Sequence, residues 1–156
     1  MSAAQEDRPT VFTYAGALLR VAYTTLAYWL VGLTPEENHW RKADAWALIN
    51  AYRFAAWHWR KYLKYSEDSR ARASLAWCYA NLGMVESAAE YYRLAYARNK
   101  NPELALYLAQ VELDFGNQAA AQSLMEEISP RRRELSDESL STLADVETRL
   151  SGSAPK

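Results

Sequence analysis

The residues able to do covalent or metal chemistry are few and scattered. His39 and His58 are the only histidines and Cys78 the only cysteine. A metal centre needs several His, Cys or carboxylate ligands at helical or hairpin spacing, and the two histidines, on different helices with Asp44 nearby, do not make up such a set. No serine or cysteine stands beside a His and an acid in a nucleophile pattern, and no glycine-rich phosphate loop occurs. These absences point away from an enzyme and imply neither cofactor nor metal. Arg131-Arg132-Arg133 could bind an anion, but such a triplet more commonly complements the carbonyls at a helix C-terminus. The lone cysteine cannot close an internal disulfide, and the start Met-Ser-Ala-Ala-Gln-Glu-Asp-Arg lacks a positive leader region. Both features fit the cytoplasm.

What the chain has in excess is aromatic surface. Of its 156 residues, 6 are Trp, 11 Tyr and 3 Phe, and most of them lie before residue 97. The formal net charge is −1. Residues 39–72 nevertheless carry a surplus of Lys and Arg, and 103–147 a surplus of acids. The molecule is therefore expected to have a basic, aromatic front half and an acidic back half. The acidic half makes nucleic acid an unlikely ligand. Between Pro35 and Pro102 stands a single glycine, Gly83. That is too little turn punctuation for a β-sandwich or barrel, so the middle of the chain is helical.

A step of 33 residues orders that middle. Ala43, Ala76 and Ala109 align, as do Ala55, Ala88 and Ala121. So do Ile49, Leu82 and Phe115, the caps Asn50, Gly83 and Gly116, and the bulky Trp59, Tyr92 and Met125. Gly or Asn after an apolar helical run suits a C-cap with positive φ, and the alanines let helices approach closely. The spacing predicts helix pairs near 36–49 and 52–65, 69–82 and 85–98, and 102–115 and 118–128. Thr34-Pro35-Glu36-Glu37 and Asn101-Pro102-Glu103 supply N-caps with proline at the first helical position, and Ser66-Glu67-Asp68-Ser69 serves the junction between them. One unbroken helix over 36–65 is the alternative, and the register opposes it with a turn at Asn50.

The middle unit reads Leu75-Ala76, Tyr79, Gly83, Ala88, Tyr92 and Ala95, with Pro102 following. This resembles the tetratricopeptide repeat (TPR) pattern. The first unit carries Lys42-Ala43, Trp46, Ala55 and Trp59. The third carries Leu108-Ala109, Ala121 and Met125, with Glu112 where the aromatic belongs. The resemblance covers residues 36–128. It implies an all-α, right-handed superhelix whose concave groove is lined by the first helix of each pair and holds a partner peptide or helix. On that geometry the groove residues are Trp40, Arg41, Asp44 and Leu48, then Ala73, Trp77 and Asn81, then Leu106, Tyr107, Gln110 and Asp114. The set lacks the Lys, Arg and Asn clamp with which the family grips a C-terminal carboxylate. Aromatic faces with a few polar pins suit the apolar side of a partner helix or an extended apolar segment. Three such pairs with an extra N-terminal helix resemble, in architecture, the bacterial type III secretion chaperones.

The remaining segments complete the organisation: a flexible start (1–11), an N-terminal helix (12–34), three repeats (about 36–68, 69–101 and 102–129), a linker with a capping helix (130–150) and a disordered tail (151–156). Residues 12–33 carry one charge, Arg20. Thr13, Arg20 and Thr24 share one face, and Phe12, Ala15, Leu19, Leu26, Leu30 and Leu33 the other. The pattern is that of an amphipathic helix packing its apolar face on the first repeat or in a homodimer. Its length also admits a membrane anchor or a peripheral contact with anionic lipid. In Trp57-His58-Trp59-Arg60-Lys61-Tyr62-Leu63-Lys64-Tyr65, helical spacing turns Trp59, Tyr62 and Leu63 inward and leaves the cations to solvent. The capping helix places Leu140, Leu143, Ala144 and Leu150 on its packed side. The function expected from these features is a non-enzymatic adaptor or chaperone.

Overall fold

A computed structural model describes residues 10–152. Eight α-helices follow one another: α1 (Val11–Leu30), α2 (Pro35–Ala47), α3 (Tyr52–Tyr62), α4 (Ser69–Asn81), α5 (Val85–Arg98), α6 (Pro102–Asp114), α7 (Gln118–Ile128) and α8 (Asp137–Gly152). A 3₁₀ turn, Ser129–Glu134, separates the last two. The fold is all-α and TPR-like. Among the described residues no helix is long and apolar enough to cross a membrane. The expected flexible start lies outside the described residues except for Thr10 and Val11. Thr10 caps α1 through its side chain. At the other end α8 continues through Ser151 and Gly152, so the expected tail retains only 153–156, which also lie outside the described residues.

The three hairpin turns share one backbone design. Asn50, Gly83 and Gly116 have φ of 57°, 72° and 85°. In each turn the amide of the following residue reaches back to the helix: Ala51 N–H to Trp46 C=O at 3.0 Å, Met84 to Tyr79 at 2.9 Å and Asn117 to Glu112 at 2.8 Å. A second bond, of 3.0 Å in every case, joins Asn50 to Ala47, Gly83 to Ala80 and Gly116 to Leu113. This pair of bonds is the Schellman motif, which satisfies helix-end carbonyls and requires the left-handed residue between them. The helix starts are closed by side chains: Thr34 Oγ1 accepts from Glu37 N–H at 3.2 Å, and Asp68 and Asn101 accept from Arg70 and Glu103 at 2.8 Å each. All six alanines of the two repeat columns are completely buried, as close packing of neighbouring helices requires.

The chain divides after Glu67 into two compact units. In the first, α1 packs on α2 and α2 on α3. Its core is Ala43, Ala45, Ile49, Ala55, Ala56 and Trp59. The rotation of α1 is the opposite of the expected one. Ala17, Thr24 and Ala27 are the buried residues, whereas Phe12, Leu19, Leu26 and Leu30 stand exposed. Small side chains explain the choice: Thr24 hides its hydroxyl by donating to the Arg20 carbonyl at 2.6 Å, so the face closes tightly on α2. Arg20 then reaches Asp44 of α2 at 3.4 Å.

In the second unit α4, α5, α6 and α7 pack in sequence and α8 lies on α6. Ser139, Leu143 and Val146 form the buried face of α8. Ala144, expected to be packed, is exposed, and Val146 takes the inward position instead. Glu112 accounts for the departure from the aromatic column. It is 2% exposed, yet its carboxylate receives Arg93 through Nε at 2.6 Å and Nη2 at 2.8 Å, and Asn117 Nδ2 at 3.1 Å. A three-donor cradle thus replaces an aromatic plug at the α6–α7 turn.

Candidate partner-binding surface

The surface is built on two helices one repeat apart. On α4, Trp77 and Asn81 are four residues apart and share a face; on α6, Tyr107, Gln110 and Asp114 do the same at spacings of three and four. Trp77 and Gln110 occupy equivalent positions of their repeats, as do Asn81 and Asp114. The structure brings Trp77, Asn81, Tyr107 and Gln110 together around one cavity of about 300 Å³, completed by Ala80, Tyr92, Val111 and Asp114. A second cavity of about 310 Å³ shares Trp77, Tyr92 and Tyr107 with the first and adds Ala73, Ser74, Leu104, Glu138 and Thr142. Tyr92 of α5 is 3% exposed and forms the common floor. Its ring stacks on Tyr107, with centroids 6.3 Å apart and planes inclined by 23°. Burial, helped by Tyr107 and Cys78, holds the Tyr92 phenol far above its ordinary pKa, so the floor is neutral.

Two of the polar residues at the rim are already held. Asn81 Nδ2 donates to the Trp77 carbonyl at 2.9 Å. Asp114 Oδ1 accepts from Arg149 of α8 at 2.6 Å. Trp77, 40% exposed, is the largest apolar face presented at these cavities. The arrangement supplies flat apolar contact with hydrogen-bonding groups at its edge. Cys78, next to Trp77 in sequence, points into the core, where burial pushes its thiol up to about 12. Leu106, expected in the groove, is fully buried, because α6 packs against α5, α7 and α8 and has little free face left. Tyr92, aligned with Trp59 and Met125 in the bulky repeat column, is core and cavity floor together. Its place in the bulky repeat column between two groove helices was the available signal.

The other expected site residues lie in the first unit. Trp40 is about half exposed and borders a shallow pocket of about 350 Å³ with Thr34, Glu36, Glu37 and Tyr62. Arg41 is paired with Glu37 one turn earlier, its Nε 3.1 Å from the carboxylate, and Asp44 is engaged by Arg20. His39 and His58 meet across the α2–α3 hairpin with Nδ1 atoms 3.0 Å apart. Burial, then His39 and Lys42, lower His58 to about 4, and burial with Lys42 and Lys61 lowers His39. The pair is therefore neutral near pH 7. Among the described residues no three His, Cys, Asp or Glu side chains gather as metal ligands would. Trp59 is buried, and Lys61 Nζ lies 5.3 Å above the exposed Trp57 ring. Arg131 clasps Glu134 at 2.7 Å and donates to the Lys100 carbonyl just beyond α5, also at 2.7 Å.

No protein-family model matches the chain. No curated protein matches its sequence. Among solved structures, the crystal structure of MamA, a TPR-like protein, is similar with a TM-score of 0.64 over 90% of this chain and 91% of that one, at 16% identity. That likeness establishes the TPR-like fold of this chain.

Proposed function

We propose that the protein is a non-enzymatic interaction module, an adaptor or chaperone that holds a hydrophobic segment of a partner protein against α4 and α6. What supports this is the pair of adjoining cavities that share Trp77, Tyr92 and Tyr107. Two depressions about one aromatic ridge receive successive apolar side chains of a helix or an extended segment, while Asn81 and Gln110 contact polar groups at its edge. A half-exposed Trp over a buried, neutral floor is the side-chain type on which binding energy concentrates. Trp40, with Arg41 and Asp44 beside it on α2, forms a separate candidate contact.

A phage-displayed library of amphipathic helical and extended peptides, selected against the full chain, tests the assignment. The expected ligands carry an apolar stripe, and Trp77→Ala weakens their binding by about 30-fold, the scale of a hot-spot aromatic. Trp40→Ala in the same assay reports the α2 contact independently. Peptides bound equally well by the Trp77→Ala/Tyr107→Ala double variant would remove the surface from consideration.

A further inference from the structure

We infer that the outer face of α1 is a homodimer surface on which a second copy of this chain seats its own α1, antiparallel, about a two-fold axis near residues 20 and 21. The helix packs on α2 through Ala17, Thr24 and Ala27 and turns its large apolar residues outward. Phe12 is 89% exposed and Trp29 78%. With Leu19, Tyr23, Leu26 and Leu30, all more than half exposed, they cover a helix about 30 Å long. The two aromatics alone offer on the order of 300 Å², and the whole face approaches the ~800 Å² per partner of a stable interface.

The order of side chains selects the occupant. Phe12, Ala15, Leu19, Ala22, Leu26 and Trp29 follow one another at alternating steps of three and four, and all are exposed. This is a two-helix seam. When the seam is laid antiparallel on a copy of itself about that axis, Leu19 faces Ala22, Leu26 faces Ala15 and Phe12 faces Trp29. Each leucine meets an alanine, which is the large-to-small alternation that interdigitating helices require. A lipid-facing helix has no need of that alternation, and an interfacial one carries Lys and Arg beside its apolar face. The sole cation of α1 is Arg20, which is engaged with Asp44.

Sedimentation velocity on the full chain from about 1 to about 100 µM is expected to show a species of twice the 17.8 kDa chain mass. Leu19→Glu/Leu26→Glu is expected to yield monomer with unchanged far-UV circular dichroism. For orientation, separately prepared Phe12→Cys and Trp29→Cys proteins are mixed under oxidation. The mixed disulfide dimer is expected, with little self-crosslinking of either alone. A monomer throughout the concentration range, or a dimer that survives both glutamates, overturns the proposal. So does Phe12→Cys crosslinking to itself, which a parallel pair would give. Flotation of monomeric protein with phosphatidylcholine/phosphatidylserine vesicles would assign the face to lipid instead and would equally overturn it.

Discussion

The first and last helices stand in contrast. Each is a single helix beyond the three hairpins, and each buries one narrow face, α1 on α2 and α8 on α6. α8 buries Leu143 and Val146 and gives solvent its charged residues, with Arg149 held by Asp114 and Arg132 reaching Glu147 at 3.3 Å. α1 buries small and hydroxylated residues and gives solvent its leucines and aromatics. A polar outer face is what ends a stack of repeats; an apolar one requires a cover. Helices alike in length and place can thus finish a surface or open one, and the difference lies in which stripe of side chains the neighbour accepts.

The same apolar-to-charged change should separate the two. Val146→Asp in α8 buries an unpaired carboxylate and is expected to cost about 4 kcal/mol in urea unfolding. Leu26→Glu in α1 adds its charge to an exposed position and should alter unfolding only through its dependence on protein concentration. Equal losses at both positions would abolish the contrast. Within the second unit, Arg93→Ala strips the main partner from buried Glu112 and is expected to cost about 2–3 kcal/mol. Arg93→Ala combined with Glu112→Gln should recover part of that loss, because the remaining amide is uncharged.

The α2–α3 hairpin should respond to acid. His58 is held near 4 in the folded chain and returns to about 6.5 when unfolded, so the unfolded state binds the proton first. Stability is expected to fall as pH drops from about 6.5 to about 4 and then to stop changing on account of this group. Thermal melts of wild type and His58→Asn across that window check it, with the flatter profile in the variant. The smallest effect is expected at the turns. Gly83→Ala meets no atom within 4 Å of the new Cβ, so its cost, about 1 kcal/mol, reflects the φ of 72° alone.

The hairpins were legible because their determinants are local or strictly repeated. The Asn50, Gly83 and Gly116 column names the left-handed residue of each turn, and the buried alanine columns name where helices touch. The rotation of α1 was not legible by apolar patterning, which assumes that the largest hydrophobic stripe packs inward. Here close approach through Ala17, Thr24 and Ala27 decides the matter. The Glu112–Arg93 and His39–His58 pairs join residues on different helices, and no local pattern marks them. Of the candidate surface, Trp77, Asn81, Tyr107 and Gln110 followed from the repeat register. Glu138 and Thr142 of α8 did not, since the capping helix lies outside that register.

Fluorine NMR of the full chain labelled with 5-fluorotryptophan tests the central claim, that Trp77 marks the partner surface and α1 a different one. Single Trp→Phe variants assign the six resonances. Addition of a selected apolar peptide should move the Trp77 line and leave Trp29 in place, while dilution alone should move Trp29 and leave Trp77. A peptide that moves Trp29 and not Trp77 would contradict the account.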